Sequence, residues 1–379
     1  MEAIWFTLLA LAILAIGLYA AMILFAISGW QKLKSEPNKG STIGVSILVA
    51  ARNETNNIET TIENLLSQNY PSELLEVIVI DDHSEDDTLE KCNRLKEKHP
   101  RLQVISGQQG KGKKAALKAG IDQAKFPIVA TVDADCRIPS EWLKTMMGNW
   151  KYETTKMLLG PVVLQPTKTL FQQVQSLEML SIMGLTGGSA AFGEPIMANG
   201  ANIIFDKSAF ENIGGYTDNG NPSGDDVFTM LKFNEKWAGS VQFVKDYRAV
   251  VHTNPQESFS GFWQQRKRWL SKKSGYSNIW VKSSALITYA ANVTGFAALI
   301  VCIFNFGSFW ADKLLWLLVI KTILDLMLTR AVKKDLQPDC GIWNIIPAEI
   351  FIVTYVTLLG IIGNVGNYVW KGRSIKVNG

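Results

Sequence analysis

Residues 131–139 read TVDADCRIP and end a short apolar run, 127–132, with two aspartates, Asp133 and Asp135. A short run of apolar residues is typical of a strand that is buried on both faces of a sheet. Two carboxylates this close repel each other unless a positive charge lies between them. The stretch therefore predicts a buried strand with a charged site at its carboxyl end.

Three similar runs precede it, at residues 44–50, 75–80 and 102–106. Helical periodicity follows each of them, over 55–68, up to about residue 99, and over 114–124. Alternation of this kind predicts an α/β fold with a parallel sheet flanked by helices. Ligands bind beyond the carboxyl ends of the strands in such sheets.

Polar residues follow each predicted strand and should meet at that edge. They are Arg52 to Glu54, Asp81 with Asp82, Lys111 to Lys114, and Asp133 with Asp135. Any one group has an ordinary alternative as a helix cap or a solvated turn, and capping stays open for 81–84 and for the Asp-x-Asp. Four groups at the same edge favour a binding crevice.

Residues 3–30 contain no charge and exceed the roughly 20 apolar residues that cross a bilayer. The alternative, a cleaved signal peptide, would have a basic start and a shorter apolar run. Lys32 and Lys34 follow the segment and predict that the chain then enters the cytoplasm. We predict an integral protein of a bacterial inner or cell membrane with this organisation: an anchor (1–34), a cytosolic catalytic domain (35–260), an interfacial region (261–283) and a C-terminal membrane region (284–379) with candidate segments 284–305, 314–328 and 345–370.

Composition excludes several classes of function. A net charge of +4 is too small to indicate a nucleic-acid partner, and the four scattered cysteines and three histidines fit neither a disulfide framework nor a zinc site. Residues 107–114, GQQGKGKK, resemble a triphosphate loop, but Lys114 replaces the hydroxyl that would hold magnesium. The loop indicates either a diphosphate contact or a solvated basic turn, and not a triphosphatase.

Three further groups of residues are candidates for metal binding, proton transfer and diphosphate contacts. An Asp-x-Asp provides an incomplete shell for Mn²⁺ or Mg²⁺, which substrate phosphate oxygens would complete. Residues 224–226, GDD, suit either a general base or a complement to a helix dipole. Residues 265–269, QRKRW, suit either diphosphate and ring contacts or a basic helix on lipid headgroups.

Together these motifs resemble those of membrane-bound family 2 glycosyltransferases, which have a GT-A (Rossmann-like) fold. The resemblance runs from about residue 44 to 275. It rests on VAARNE (49–54), VIDDHSED (79–86), GKKAALKAGI (112–121), DAD (133–135), NGANIIFDKSAFENIGGY (199–216), GDD and QRKRW, with WKGR (370–373) near the end. QRKRW matches the family's Q-x-x-R-W, while Asp225-Asp226 stands where the family has Glu-Asp.

The resemblance implies roles for individual residues. Asp226 would be the catalytic base, with Asp225 beside it, and transfer would invert the anomeric configuration. Asp133 and Asp135 would hold the metal. Nucleotide contacts would come from Ala50, Arg52, Glu54, Asp81, Asp82, Lys113 and Asp133, and acceptor or diphosphate contacts from Asn202, Gln265, Arg268 and Trp269.

The expected function is transfer of a hexosyl or N-acetylhexosaminyl group from a UDP-sugar or similar donor to a membrane lipid, without processive elongation. The alternative is a small processive polysaccharide synthase of the cellulose, chitin or hyaluronan synthase type. A third possibility, a binding protein on a degenerate transferase fold, is disfavoured by the intact aspartates. Lys321 and Asp325, four residues apart in a candidate span, indicate either a functional charge or an internally neutralised pair.

Overall fold

The structure is a computed structural model that describes residues 2–35, 43–106, 112–165, 168–216, 225–271, 278–363, 366–371 and 373–376. The helices are α1 (Glu2–Lys32), α2 (Ile58–Leu66), α3 (Thr88–Lys98), α4 (Lys113–Gln123), α5 (Trp142–Gly148), α6 (Leu170–Ala190), α7 (Lys207–Asn212), α8 (Asp225–Lys236), α9 (Phe259–Leu270), α10 (Ile279–Asn305), α11 (Phe309–Leu336) and α12 (Ile345–Ile362). The strands are β1 (Val45–Ala51), β2 (Leu75–Asp81), β3 (Leu102–Ser106), β4 (Ile128–Asp133), β5 (Met157–Leu159), β6 (Val162–Leu164), β7 (Ile203–Asp206), β8 (Val241–Phe243), β9 (Val251–Thr253), β10 (Asn367–Trp370) and β11 (Arg373–Lys376).

The chain divides into two compact units. The α/β unit comprises Leu33–Gln165 and Ala190–Asn254, and the helical unit comprises Met1–Lys32, Pro166–Ser189 and Pro255–Gly379. The division differs from the predicted domain 35–260, because α6 is an apolar helix that packs with the other long helices. Its Gly184, for example, lies against Leu328 and Val332 of α11.

Seven described strands of the α/β unit form one sheet in the order β3-β2-β1-β4-β7-β5-β8. The first four are parallel, as predicted. β7 is antiparallel to both β4 and β5. Close helix packing covers the sheet, since a Cβ at Gly120 of α4 would lie 2.7 Å from Ile80 Cδ1. The α/β fold class is confirmed.

Three described helices of the helical unit are long and apolar enough to cross a membrane: α1, α10 and α12. They indicate a membrane protein. The predicted segment 345–370 is not one helix, because α12 ends at Ile362 and a hairpin of β10 and β11 follows. Lys267 Nζ of α9 donates to the carbonyl of Asn367, 3.2 Å away, so this hairpin lies beside α9.

Helix α11 runs parallel to α1 along its whole length. Trp310 stacks on Trp5 with ring centroids 5.7 Å apart, Tyr19 donates to Asp325, and Trp30 Nε1 donates to Asp335 Oδ2 at 2.9 Å. The residue numbers of these contacts increase in the same direction along both helices, so the two helices are parallel. Helix α11 thus accompanies the apolar α1, although the charges of α11 lower its mean hydropathy.

Candidate active site

The register of the sheet brings three predicted groups to one edge of the α/β unit. Ala50 of β1 lies opposite Ile80 and Asp133, and Ala51 lies opposite Asp81. Arg52, the residue after β1, is consequently next to the turn that follows β2. This arrangement follows from parallel pairing, because carboxyl ends of neighbouring parallel strands meet at the same edge.

Arg52 holds the turn after β2 in place. Its Nη1 donates to the carbonyls of Asp82 (3.1 Å) and His83 (3.0 Å), and its Nη2 donates to Glu85 Oε1 at 3.0 Å. Asn53 and His83 have φ angles of 52° and 59°, the left-handed region that non-glycine residues rarely adopt. Such backbone strain is found at functional sites more often than elsewhere. Arg52 therefore orders the Asp-rich turn through its backbone.

Asp81 and Asp82 have different environments. Asp82 Oδ1 accepts from the amide of Gly112 at 2.9 Å, which ties the turn to the start of α4. Asp81 is only 3% exposed; its Oδ2 accepts from Ser84 N at 3.2 Å, whereas its buried Oδ1 has no hydrogen-bond partner among the described residues. A buried oxygen without a donor is costly unless a ligand supplies one. Asp81 therefore offers an acceptor for a ligand N–H or O–H.

The alternative of helix capping does not explain the paired aspartates. The N-cap position of α3 is Asp87 and that of α5 is Glu141, and neither side chain makes a capping hydrogen bond. Asp133 is instead the last residue of β4, and both Asp133 and Asp135 are half-buried. Both residues therefore lie at the carboxyl end of β4, the edge at which sheets of this type bind ligands.

A glycine joins the predicted base to the end of β4. The amide of Gly200 donates to Asp226 Oδ2 at 3.1 Å, and its carbonyl accepts from Thr131 Oγ1 at 2.9 Å. A Cβ at Gly200 would lie 3.5 Å from Lys113 Nζ and 3.7 Å from Asp226 Oδ2. Lys113 in turn forms an ion pair with Asp133. Asp226, Lys113 and Asp133 therefore surround one point.

The donor set fits a hard cation that is completed by substrate oxygens. No group of three or more His, Cys, Asp or Glu side chains among the described residues is arranged to hold a metal ion. The pair Asp133 and Asp135 is the kind of partial oxygen shell that Mg²⁺ and Mn²⁺ use together with substrate phosphates. Burial, with the charges of Asp133 and Asp135, raises the pKa of the adjacent Cys136 thiol well above its ordinary value, which disfavours a thiolate ligand there.

Two residues that the sequence predicts as ligand contacts are buried and hydrogen-bonded within the protein. Asn202 is fully buried: its Oδ1 accepts from Trp142 Nε1 (2.9 Å), and its Nδ2 donates to the carbonyls of Pro161 (2.8 Å) and Ala249 (2.9 Å). It therefore joins three segments of the unit, and no surface remains for an acceptor. Glu54 is also buried, and its Oε2 accepts from Asn57 Nδ2 at the start of α2. The side chain of Asp225 lies outside the described residues, as do residues 107–111 of the lysine-rich loop.

Gln265, Arg268 and Trp269 lie on α9 of the helical unit and are half-buried. Arg266 of QRKRW, to which sequence reasoning gave no role in the site, makes several specific contacts. It forms an ion pair with Glu178 of α6, whose other carboxylate oxygen accepts from Tyr355. Glu178 is the one charged residue in the 21-residue sequence of α6, and this isolation was an available signal.

Comparison with known proteins identifies the family of the domain that carries most of these residues. The sequence profile of "Glycosyl transferase family 2" matches residues 46–214. Residues 46–214 are a family 2 glycosyltransferase domain. The glycosyltransferase domain so defined contains Asp81, Lys113, Asp133 and Gly200, whereas Asp226 and α9 follow it in the chain.

Curated relatives of the domain are bacterial enzymes. Poly-beta-1,6-N-acetyl-D-glucosamine synthase of Staphylococcus aureus (strain MSSA476) is 28% identical over 241 residues, which is 62% of this chain and 56% of the relative. The synthase of the same name from Staphylococcus epidermidis is 29% identical over 231 residues, 60% of this chain and 53% of the relative. This chain thus spans little more than half the length of these relatives.

A solved structure shares the fold over most of the chain. Mannosyltransferase PcManGT from Pyrobaculum calidifontis, solved in complex with GDP-Man and Mn²⁺, aligns with a TM-score of 0.59 and 18% identity. The alignment covers 92% of this chain and 99% of the mannosyltransferase. The GT-A fold expected for the glycosyltransferase domain is therefore confirmed, together with the α/β class.

Proposed function

We propose that this protein transfers one sugar from a nucleotide-sugar donor, of the UDP-sugar type, to a hydroxyl group of a membrane lipid, with inversion and with Mn²⁺ or Mg²⁺. The glycosyltransferase domain would work on the cytoplasmic side of a bacterial membrane, in agreement with Lys32 and Lys34 after α1. The sugar would be a hexose or an N-acetylhexosamine.

The observation that carries the proposal is the contact set of Gly200. Its amide holds Asp226 Oδ2, and its α-carbon faces Lys113 Nζ, which pairs with Asp133. A carboxylate for the acceptor, an ammonium for the diphosphate and a carboxylate for the metal are the three groups that an inverting transfer needs within one site. Their proximity supports glycosyl transfer over simple nucleotide binding, which would not require the base.

In the proposed reaction, Asp226 activates the hydroxyl group of the acceptor. Its Oδ1 accepts from Val227 N at 2.9 Å and its Oδ2 from Gly200 N, so two backbone amides fix the carboxylate. In the proposed reaction Asp226 takes the proton of the acceptor hydroxyl, whose oxygen attacks the anomeric carbon from the face opposite the diphosphate. Attack from that face inverts the configuration, and a positioned base contributes about 10²–10⁴-fold.

In the proposed reaction, residues in the first half of the domain bind the nucleotide-sugar donor. The orphaned Asp81 Oδ1 supports an N–H or O–H contact from the base or ribose, and Arg52 and Asp82 keep the surrounding turn ordered. Lys113 would contact the diphosphate. Asp133 and Asp135 would hold a divalent cation, which would stabilise the charge on the departing diphosphate, and the Mn²⁺ in the mannosyltransferase of the same fold supports this assignment.

A second candidate is a processive polysaccharide synthase. It is favoured by the curated relatives, whose names describe synthesis of a poly-N-acetylglucosamine. N-Acetylglucosamine is also one of the donor sugars that the first candidate includes. The two candidates share the site and the chemistry, and they differ in how many transfers follow one binding event.

The test is a product analysis with full-length protein in lipid nanodiscs. The protein is incubated with Mn²⁺, bacterial membrane lipids and a panel of UDP- and GDP-sugars, and products are separated by size and identified by mass spectrometry. A glycolipid heavier by one sugar supports the first candidate, and a high-mass polymer supports the second. Absence of turnover with every donor overturns both and leaves a binding protein. Asp226→Asn, with nucleotide binding retained, should abolish either product.

A further inference from the structure

The helical unit contains a second polar cluster, which is built around Arg266 of α9. Phe262, Arg266 and Trp269 recur at helical spacing on one face of α9, and the first two are 0% and 4% exposed. Phe262 packs with Tyr355 and Leu359 of α12. Arg266 is therefore a charged residue within an apolar helix interface, where a charge persists only when it is paired.

Arg266 contacts two acceptors and two aromatic rings through its guanidinium group. Its Nη2 pairs with Glu178 Oε2, and its Nη1 donates to Gln265 Oε1 at 2.6 Å. The guanidinium carbon lies 4.4 Å from the centre of the Phe262 ring and 4.1 Å from the centre of the Trp269 ring. Tyr355 donates to the remaining oxygen of Glu178. A planar cation that lies against two rings and donates to two different side-chain acceptors is held in one orientation.

These contacts separate the roles of residues within QRKRW. Arg266 is buried and occupied by Glu178 and Gln265, so it is not a substrate contact. It does, however, touch two of the three residues of the Q-x-x-R-W pattern, Gln265 through a hydrogen bond and Trp269 through its ring. The side-chain positions of Gln265 and Trp269 therefore depend on where Glu178 and Tyr355 hold the guanidinium.

We propose that Glu178 and Tyr355 are positioning residues for the Q-x-x-R-W segment, and that they act through Arg266 on Gln265 and Trp269. This inference rests on the proposed function, together with the acceptor or diphosphate contacts that the family resemblance implies for Gln265 and Trp269. The predicted consequence is that loosening Glu178 or Tyr355 slows the transfer step, while binding of the nucleotide by the glycosyltransferase domain stays intact.

Two conservative variants test the proposal in full-length protein in nanodiscs. Glu178→Gln keeps the shape and removes the charge, and Tyr355→Phe removes only the hydroxyl group. Each should lower kcat at least tenfold, with the dissociation constant for UDP changed less than threefold. The matched controls are Glu257→Gln, an exposed residue before α9, and Tyr289→Phe on α10, and both should leave kcat within twofold.

A neutral double variant distinguishes positioning from mere stabilisation. In Glu178→Gln with Arg266→Gln, neither charge of the pair is left buried without its partner, so the thermal midpoint should recover toward that of the wild type. If Glu178 and Arg266 only stabilised the fold, kcat would recover with it. If they position Gln265 and Trp269, kcat should stay at least tenfold low. Recovery of kcat in this double variant would overturn the proposal.

Hydrogen exchange provides a readout that does not depend on turnover. Glu178→Gln and Tyr355→Phe should raise amide exchange in residues 262–270 at least fivefold, while β1 and β4 remain as protected as in the wild type. Unchanged exchange over 262–270 would overturn the positioning role even in an active enzyme. Wild-type protein without turnover on any donor would instead overturn the proposed function, and exchange would still decide whether Glu178 and Tyr355 hold α9.

Discussion

The amide of Gly200 donates a hydrogen bond to Asp226 Oδ2 at 3.1 Å, and this contact joins residues on either side of the segment 217–224. Oδ1 of the same carboxylate accepts from Val227 N at 2.9 Å. Both oxygens are thus oriented by backbone groups, which side-chain substitutions elsewhere cannot easily displace. The proposed base is therefore fixed in position and is not a mobile acid at a helix start.

Lengthening the base should be nearly as harmful as removing its charge. Asp226→Glu keeps a carboxylate but displaces it by about 1.5 Å and removes it from both amides. A misplacement of this size can cost about 10² in rate, so we expect kcat to fall about 100-fold with little change in nucleotide affinity. Asp122→Glu, an exposed residue of α4, is the control and should be neutral. A rate within threefold of wild type for Asp226→Glu would contradict the assignment of the base.

Two glycines of the α/β unit should respond to alanine in opposite ways. A Cβ at Gly160 would lie 2.2 Å from the Asn202 side chain, whose amide is fully engaged, whereas one at Gly200 would find its nearest atom at 3.5 Å. Gly160→Ala must displace Asn202 or strain the backbone, and overpacking costs typically ~1–3 kcal/mol. We expect a clear drop in the thermal midpoint for Gly160→Ala and a change within error for Gly200→Ala. Equal midpoints would contradict the packing around Asn202.

The strands that alternate with helices were predictable, because β1 to β4 are mainly apolar and each precedes a polar turn. The antiparallel β7 was not, since residues 203–206 are too short to show a pattern, and their place next to β4 depends on contacts distant in sequence. The sequence also predicted that Arg52, Asp81, Lys113 and Asp133 lie at one edge of the sheet. The carboxyl ends of parallel strands meet at the same edge, so this prediction follows from the strand order.

The roles of Asn202 and Arg266 could not be predicted, for a related reason. Motif similarity identifies which residues recur but does not show which way a side chain points. The side chain of Asn202 points into the core, where its amide forms hydrogen bonds with three partners. Arg266 points into the interface with α6 and α12. Burial depends on the packing of separate elements, which a single linear motif does not contain.

A substitution at Asp81 should lower nucleotide affinity without lowering the stability of the fold. Its Oδ1 is buried without a described partner, so Asp81→Asn removes a costly buried charge and keeps a group of the same shape. We expect the thermal midpoint to be unchanged or higher, and the affinity for UDP to fall at least tenfold, measured by titration calorimetry. Asp87→Asn, in the same turn at the start of α3, is the control. Unchanged affinity for UDP would show that Asp81 does not contact the nucleotide.

The charges inside the helical unit form a network, and the predicted pair of Lys321 and Asp325 is part of it. Lys321 Nζ donates to Asp325 Oδ2 at 2.9 Å and to Glu349 Oε1 at 2.6 Å, and Tyr19 donates to Asp325. Lys321 is 1% exposed, and the network connects α1, α11 and α12. It explains how α11 can lie along α1 although it carries charges in its middle.

Removing the cation alone should therefore be worse than removing the whole network. Lys321→Met leaves two carboxylates buried together, and breaking a buried pair costs about 3–5 kcal/mol. Replacing Lys321, Asp325 and Glu349 together by Met, Leu and Leu leaves an apolar interface, which is often neutral or stabilising. We expect a large drop in the thermal unfolding midpoint in nanodiscs for the single variant, recovery in the triple variant, and no change for the exposed control Lys282→Met on α10. If the triple variant were as unstable as the single one, the network would be needed for its specific geometry and not for charge balance.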